Sequence, residues 1–240
     1  DLTLFRTMER ELQKQEKLAL IGQLAAATAH ETRNPLAVAM GFLQLLEQGI
    51  EKDISKEKQL SYLNLIKEEL QLINKVTEEF LWLGKEKKDE MSILDINQLI
   101  NNLIPILENK ALSSELNFRL TLDSPLPGVN GCPNQLKQVF LNLAQNSFQV
   151  LKPKEGRLEV TTAYLAKEQK VLVSFADNGP GMTREVLEKI FDPFFTTNET
   201  GNGLGLFICK RIVDKHQGEI RAENLPEGGA RFTITFPACP

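Results

Sequence analysis

Two long stretches of helical periodicity in the first third of the chain constrain the fold more than any other feature. From Leu2 to about Gln48 the sequence is rich in Leu, Ala, Glu, Gln and Lys, which predicts one long helix that Gly49 ends. Apolar residues at three- and four-residue steps predict a second helix from about Lys58 to Lys88. Because only the short polar link 51–57 separates them, the two helices form an antiparallel hairpin.

A hairpin of this length exposes an apolar stripe that its own two helices cannot cover. Pairing with a second copy covers the stripe, so we expect a homodimer built on a four-helix bundle. The charged run GKEKKDE, residues 84–90, is the predicted linker, although a solvated last turn of the second helix is an equally good interpretation. The predicted domains are therefore residues 1–90 and 91–240.

Beyond the linker the pattern changes from helical to mixed, which predicts an α+β fold in residues 91–240. The strand-like segments are MSILDI, LNFRLTL, RLEVTTAYL, KVLVSFADN, GEIRAEN and ARFTITFP. The helix-like segments are Asn97 to Asn109, the stretch NQLKQVFLNLAQNSFQVL, Arg184 to Ile190, and about Gly203 to His216.

Composition excludes several classes of protein. With 240 residues, 42% of them hydrophobic and 25% charged, the chain is neither disordered nor fibrous. A net charge of -4 gives no basic excess for nucleic acid, and three widely spaced cysteines with two histidines give neither a disulfide framework nor a metal site. No apolar run is long enough to cross a membrane, so we expect a cytoplasmic protein. The start at Asp1 predicts a fragment, which could be the cytoplasmic part of a membrane-anchored sensor.

The stretch FADNGPGM, residues 175–182, is the most informative in the second half. A strand ends there in Asp177, and Gly179 and Gly181 follow at once. Glycine permits positive φ and close approach of a ligand to the backbone, while a strand-end aspartate can accept a hydrogen bond from an exocyclic amine. Taken alone, the pattern is more often an ordinary turn.

Two further patterns carry polar or glycine residues that a fold alone does not require. In TGNGLGLFICKRIV the glycines at 201, 203 and 205 lead into a helix, whose N-terminal amides can bind phosphate oxygens. Asn142 and Asn146 lie one helical turn apart on the apolar side of a helix, and amide oxygens can complete the shell of Mg²⁺. A polar stripe or capping pair is the alternative for the asparagines, and a GxGxG alone is weak.

In this order the patterns resemble the ATP-binding domain shared by histidine kinases, DNA gyrase and MutL, the GHKL or Bergerat-type α/β sandwich. The resemblance covers residues 92–240, with FDPFF at 191–195 as a further motif. It implies that Asp177 binds the adenine amino group, that Asn146 ligates Mg²⁺ beside Asn142, and that residues 195–203 form a mobile lid. The remaining residues expected to contact the nucleotide are Gly179, Gly181, Phe191, Thr196, Thr197, Gly201, Gly203, Leu204, Gly205 and Leu206.

Three positions depart from the pattern of that family. Cys132 stands where relatives usually have aspartate, and Asn198 follows PFFTT where a lysine is common. The step GGARF, residues 228–232, replaces the more usual Gly-Thr. The missing lysine removes one phosphate contact, which puts the energetics of the lid in question.

His30 lies in the first predicted helix, in the sequence HETRNPL. At about 100° per residue His30 and Asn34 fall opposite the side that carries Thr28 and Thr32, so the imidazole should face solvent. Glu31 is close enough in sequence to bond one ring nitrogen, leaving the other free as a nucleophile. A proline lacks the N–H that a helix needs, so Pro35 should bend the helix just after His30.

HETRNPL closely resembles the phosphoacceptor motif of histidine kinases, and it precedes the ATP-binding domain as it does in that family. The resemblance implies that His30 is phosphorylated by ATP-Mg²⁺, that Glu31 is the general base, and that Asn34 orients water in a phosphatase reaction. The phosphoryl group then passes to an aspartate of a response regulator, in our interpretation within a sporulation phosphorelay. The implied partners are a second copy, the regulator and an inhibitor protein that binds the bundle.

Two other functions are compatible with the same residues. A GHKL ATPase that couples ATP binding to conformational change leaves His30 beside Glu31 unexplained. A catalytically degenerate scaffold would be a dimeric helical module that binds a partner or inhibitor while its lid has lost activity.

Overall fold

The computed structural model describes residues 2–51, 54–84, 90–198, 201 and 203–239. These residues form two compact units: α1 and α2 make up a helical unit, and every element from β1 onward belongs to an α/β unit. Most of the predicted linker, residues 85–89, lies outside the described part of the chain. The boundary at residue 90 therefore stays a prediction.

The helical unit is a hairpin of two long helices, α1 (Leu2–Glu51) and α2 (Lys56–Gly84). The less exposed positions follow a seven-residue repeat on both helices, which is the pattern of packed helix pairs. The members of this repeat are Thr28, Thr32, Pro35, Ala39, Phe42, Leu46 and Gly49 on α1, and Gln59, Tyr62, Ile66, Glu69, Ile73, Val76 and Phe80 on α2; Glu31, Gly41, Leu65 and Leu72 are half-buried beside it. The rings of Phe42 and Tyr62 meet across the hairpin, with centroids 5.8 Å apart.

A second apolar stripe on each helix is exposed within the single chain. It contains Leu36, Leu43 and Ile50 on α1 and Leu60, Leu63 and Leu70 on α2. The apolar residues of α2 therefore lie on two different faces of the helix. Ile66, Ile73, Val76 and Phe80 face α1, whereas the three exposed leucines of α2 do not. A helix that packs on two sides needs both stripes.

The prediction that Gly49 ends α1 is wrong. The helix continues to Glu51, and the carbonyl of Gly49 accepts a hydrogen bond from the Ile54 amide at 3.0 Å. A Cβ at Gly49 would lie 2.9 Å from Ile54 Cγ1. A larger residue at this position would require the Ile54 side chain to shift, because the returning chain packs closely against the helix here.

The α/β unit contains seven strands and five helices among the residues described. The strands are β1 (Ser92–Leu94), β2 (Asn117–Leu122), β3 (Gly128–Gly131), β4 (Arg157–Leu165), β5 (Lys170–Asp177), β6 (Glu219–Asn224) and β7 (Ala230–Cys239). The helices are α3 (Ile96–Asn101), α4 (Ile104–Ser113), α5 (Pro133–Val150), α6 (Arg184–Lys189) and α7 (Gly205–Lys215).

The strands form one mixed sheet in the order β1-β3-β7-β5-β4-β2, with β6 also paired to β7. Only β2 and β4 pair in parallel among the described strands; the other pairs are antiparallel. Alternate residues of β4, β5 and β7 are buried, and α5 and α7 each bury one face. The rings of Phe140 on α5 and Phe175 on β5 lie 5.9 Å apart in this core. The predicted α+β sandwich is confirmed.

The structure differs from the predictions at three places in this unit. The helix expected from Asn97 to Asn109 is two helices, because Pro105 lies in the first turn of α4 and supplies no N–H to continue α3. Strand β3 was not predicted, since GVNG has four residues, two of them glycine, and reads as a turn. The last helix begins at Gly205 and not at Gly203.

Candidate functional site

Asp177 is the last residue of β5 and is buried. Its Oδ1 accepts hydrogen bonds from the amides of Gly179, at 3.0 Å, and Ala230, at 3.2 Å. Its Oδ2 accepts one from the Ser147 hydroxyl, at 3.0 Å. A buried carboxylate needs such partners because burial without them is costly. Three chain segments thus hold this side chain in one orientation.

Gly229 makes this arrangement possible. Strand β7 pairs with β5 so that Ala176 faces Arg231, which brings the start of β7 against Asp177. A Cβ at Gly229 would overlap the Asp177 carbonyl oxygen and lie 2.7 Å from its carbonyl carbon, and φ at Gly229 is 91°. Only glycine fits at this position. The segment GGARF, which departs from the family pattern, therefore packs directly against the backbone of Asp177.

The turn after Asp177 is fixed by side-chain hydrogen bonds to neighbouring strands. Asn178 accepts from the Arg157 amide at 2.6 Å and donates to the Glu155 carbonyl at 2.9 Å. Asn224, at the end of β6, accepts from the Met182 amide at 2.8 Å and donates to its carbonyl at 2.6 Å. Gly181, between these anchors, has φ of 71°, a conformation that glycine adopts readily.

Asn142 and Asn146 are both half-buried on α5, as their position on the apolar side of the helix predicts. The Asn142 amide donates to the carbonyl of Gly205 at 3.4 Å, which joins α5 to the first residue of α7. An amide oxygen in such a position can ligate a hard cation. Their roles toward Mg²⁺ stay predictions.

The expected lid lies partly outside the described residues, because Glu199, Thr200 and Asn202 are not among them. In the described part of this segment, the Thr196 hydroxyl donates to the Asn198 carbonyl at 3.1 Å and accepts from its amide at 3.0 Å. The Asn198 side chain donates to Gln149 on α5 at 3.4 Å. Phe191 is half-buried and Thr197 exposed, while Leu206 lies in the first turn of α7.

Cys132 and His216 form a second buried connection. The Cys132 amide donates to Nε2 of His216 at 2.9 Å, and the Nδ1–H of the same ring donates to the Ile212 carbonyl at 2.7 Å. Cys132 is the residue before α5 and makes no side-chain cap. This departure from the family pattern therefore lies in a structural contact between the start of α5 and the end of α7.

His30 is exposed on α1, which confirms the orientation predicted from helical geometry. Glu31 is half-buried, Asn34 is exposed, and Pro35 is buried inside a helix that continues past it. The Thr32 hydroxyl donates to the Thr28 carbonyl at 3.0 Å. Hydroxyl bonds of this kind and a proline both loosen the backbone ladder of a helix. A bend at Pro35 stays a prediction.

Sequence reasoning missed two residues of the α/β site, Ser147 and Asn224. Ser147 follows Asn146 and lies on the buried face of α5, so a polar residue at an apolar helical position was the available signal. Asn224 is exposed at a strand end, where asparagine is common, and no sequence pattern distinguished it.

We also searched the described residues for metal-binding groups, membrane-spanning helices and shifted pKa values. They contain no group of three His, Cys, Asp or Glu side chains that could hold a metal ion. No helix within them is long and apolar enough to span a membrane. On β6, a hydrogen bond from Arg221 lowers the pKa of the exposed Glu219, with smaller contributions from the charges of Arg221, Lys170 and Lys210.

A mixed sheet packed against helices, with a buried strand-end carboxylate next to glycine turns, defines an ATP-binding domain of the GHKL class. Residues 131–240 match the family described as histidine kinase-, DNA gyrase B-, and HSP90-like ATPase. Residues 20–88 match the His Kinase A (phospho-acceptor) domain.

Curated relatives and solved structures agree with both matches. The chain is 35% identical over 240 residues to signal transduction histidine-protein kinase AtoS of Escherichia coli, and 38% identical over 237 residues to sporulation kinase E of Bacillus subtilis. These alignments cover 100% and 99% of this chain, and 38% and 31% of the relatives. The chain therefore spans about a third of the length of these two relatives.

Among solved structures, the catalytic domain of histidine kinase ThkA is 33% identical with a TM-score of 0.57, over 62% of this chain and 96% of that one. Histidine kinase ThkA in complex with response regulator protein TrrA is 31% identical with a TM-score of 0.81, over 98% of this chain and 66% of that one. The chain belongs to the histidine kinase family.

Proposed function

We propose that this chain is the catalytic core of a two-component sensor histidine kinase. ATP phosphorylates His30, and the phosphoryl group then passes to an aspartate of a response regulator. The observation that carries the proposal is the exposed histidine of HETRNPL within the phosphoacceptor match, followed in the same chain by the buried Asp177 within the ATPase match. A GHKL ATPase that has no protein acceptor would not need the exposed histidine of HETRNPL.

The α/β site fits an adenine nucleotide. Oδ1 of Asp177 is filled by two backbone amides, and Oδ2 keeps one acceptor position beyond its bond from Ser147. That position can accept the exocyclic amino group of adenine. A Cβ at Gly179 would lie 2.9 Å from Asp177 Oδ1, so glycine allows its own amide to approach that oxygen closely.

The remaining nucleotide contacts are assigned by resemblance. Asn146, with Asn142 beside it, would hold Mg²⁺ through amide oxygens. The glycines at 201, 203 and 205, with Leu204 and Leu206, would contact phosphates, helped by the N-terminus of α7. Gly181, Phe191, Thr196 and Thr197 complete the proposed set. Bound ATP-Mg²⁺ would supply the phosphoryl group and neutralise charge on the phosphates.

The proposed reaction at His30 needs one neutral ring nitrogen and one proton acceptor. A nitrogen lone pair of His30 attacks the γ-phosphorus, so an N–P bond forms and the bond to the ADP oxygen breaks. Glu31 stabilises or accepts the proton on the other ring nitrogen. His30 is exposed, so an incoming phosphate can reach it without rearranging a core. Asn34, one turn away, is the proposed residue for orienting water during dephosphorylation.

A response regulator is the proposed phosphoryl acceptor. The similarity to ThkA, solved in complex with response regulator protein TrrA, supports it. Four Bacillus subtilis relatives are sporulation kinases, at 35% to 38% identity, and they support a role in a sporulation phosphorelay. A cytoplasmic location, as part of a larger membrane-anchored sensor, is proposed with it, as is an inhibitor protein that binds the helices.

We expect a second copy of the chain to pack against the second, exposed apolar stripe of the helical unit. The stripe recurs every seven residues at Leu36, Leu43 and Ile50, which suits a helix packed on two sides. We expect Leu43→Lys to shift the protein from dimer to monomer in analytical ultracentrifugation. Gln44→Lys is the matched control, because Gln44 is exposed outside the stripe. A dimer unaffected by Leu43→Lys would place the interface elsewhere.

Phosphorylation with γ-labelled ATP and Mg²⁺ tests the kinase activity. The expected product is a protein phosphate that is labile to acid and stable to alkali, lost in His30→Gln and kept in Gln44→Ala. ATP hydrolysis without labelled protein would favour the GHKL ATPase. A dimer with neither label nor hydrolysis would favour the scaffold. A label that survives His30→Gln contradicts the assignment of the acceptor.

A further inference from the structure

Ser147 is a fully buried serine in the last turn of α5, and its hydroxyl donates to Oδ2 of Asp177 at 3.0 Å. Nothing in the family resemblance assigns it a role. Its neighbours on the buried face of the helix are apolar, including Leu143, Ala144 and Phe148. A serine within an α-helix is less favourable than alanine and often bonds its own helix backbone. Here the hydroxyl instead reaches a residue 30 positions away.

The bonds to Asp177 leave a defined part of the carboxylate available. Each carboxylate oxygen has about two acceptor positions. Both positions of Oδ1 are used by the amides of Gly179 and Ala230. Ser147 uses one position of Oδ2, so the single remaining acceptor position is on that oxygen.

The direction of that last position depends on Ser147. The two amides both donate to Oδ1. Rotation about the Cβ–Cγ bond moves both carboxylate oxygens together, so the bond from Ser147 to Oδ2 adds a third restraint on this rotation. Torsions of this type are broad unless hydrogen bonds fix them.

We propose that Ser147 is a positioning residue that directs Oδ2 of Asp177 at the exocyclic amino group of the purine. In this role it sets the preference for adenine over a purine that carries an oxo group at the same carbon. A carboxylate oxygen attracts an amine and repels an oxo oxygen, so a fixed oxygen discriminates and a loosely held one does so less. The inference rests on the proposed adenine site at Asp177.

The test compares two nucleotides in the full chain. Dissociation constants for ADP and inosine diphosphate, which differ in the amino or oxo group of the purine and in the proton on the adjacent ring nitrogen, are measured by titration calorimetry for the parent and Ser147→Ala. We expect the variant to bind ADP about tenfold more weakly, as for loss of one hydrogen bond to a charged group. Inosine diphosphate should change little, so the ratio of the two constants falls by about the same factor.

Two further variants separate positioning from stability. Thr162→Ala removes another buried hydroxyl, which lies on β4 and donates to Asn97 at 2.9 Å instead of to Asp177. It should leave the nucleotide ratio unchanged even if it lowers the unfolding temperature. Ser147→Cys keeps a weak donor of similar size, and its ratio should lie between those of the parent and Ser147→Ala.

The outcomes distinguish this inference from the proposed function. If Ser147→Ala and Ser147→Cys weaken both nucleotides equally, the positioning role is wrong while the nucleotide site stands. If the parent binds ADP and inosine diphosphate equally, Ser147 sets no preference and the inference fails. If the parent binds neither, the assignment of Asp177 to a nucleotide fails first.

Discussion

The two histidines of the chain lie in opposite surroundings. His30 is exposed on α1, with solvent around its ring. His216 is buried at the end of α7, where Nδ1–H donates to Ile212 and Nε2 accepts from Cys132. Its ring also packs edge-on against Phe236, with centroids 6.3 Å apart. Both ring nitrogens of His216 are therefore used in holding the fold.

The difference teaches that a histidine becomes a candidate nucleophile through the availability of its nitrogen. A nitrogen that already accepts a buried N–H cannot attack phosphorus without breaking that bond. The helical unit offers His30 at a surface, and the α/β unit builds a site from buried contacts between distant segments. Two glycines differ in the same way: an added Cβ at Gly41 on α1 meets nothing within 4 Å, whereas one at Gly229 would overlap the Asp177 backbone.

Gly229→Ala should have the largest effect. A side chain there would overlap the Asp177 carbonyl, and φ at this position is 91°. We expect a loss of at least about 3 kcal/mol in unfolding free energy, together with loss of nucleotide binding. Urea unfolding of the α/β unit and ADP titration measure both. Gly228→Ala is the control, with φ of 94° and nothing within 4 Å, and should cost only about 1 to 2 kcal/mol.

His216→Phe should have the next largest effect. Phenylalanine keeps a ring beside Phe236 but leaves the buried Cys132 amide without its acceptor. We expect a loss of about 2 to 3 kcal/mol in unfolding free energy. The matched substitution His30→Phe should change stability by less than about 0.5 kcal/mol, because His30 is exposed. Equal losses in the two variants would remove the contrast between the histidines.

Gly41→Ala should change stability in the opposite direction. Gly41 lies inside α1, and an added Cβ meets nothing within 4 Å. Alanine is favoured over glycine within a helix, so a gain of about 0.5 to 1 kcal/mol is expected. The thermal transition of the helical unit, followed by circular dichroism at the helical band, measures it. A lower transition temperature would mean that another chain packs closely against Gly41 in the assembled protein, so that an added methyl group clashes there.

Glu219→Gln should have the smallest effect. The pKa of Glu219 is lowered mainly by its hydrogen bond from Arg221, so the pair stabilises the fold fully above the unperturbed value of 4.5 and loses this as pH falls through the lowered pKa. Because the group is exposed, solvent screens the interaction. Unfolding at pH 7 should be unchanged within error. A clear loss of unfolding free energy at pH 7 would show that this exposed ion pair contributes to stability despite solvent screening.

Much of the fold was predictable from short-range patterns. Helix and strand periodicity located α5, β4 and β5 within one or two residues, and the exposure of His30 followed from its angle on α1. Predictions failed where one residue acts through a distant contact. Gly49 was read as a helix end because glycine has low helix propensity, whereas it is there because Ile54 packs against it.

The candidate site shows the same division. Asp177, the glycines after it and the asparagines of α5 carry sequence motifs, so they were found without a structure. Ser147 and Asn224 carry no motif of their own, since a buried serine and a strand-end asparagine are common. Their roles appear only with their partners, Asp177 for one and the backbone of Met182 for the other.

The sequence by itself determined the order of the two units, the class of each and the exposed position of His30, because periodicity and motifs depend on residues within a few turns of one another. Only the tertiary structure decided which hydrogen bonds hold Asp177 and which histidine is inert. Those bonds join residues 30, 53 and 84 positions apart, through Ser147, Ala230 and the Cys132 amide. A hydrogen bond forms at about 3 Å in space, and no local pattern in a chain records which distant residues fold to that distance.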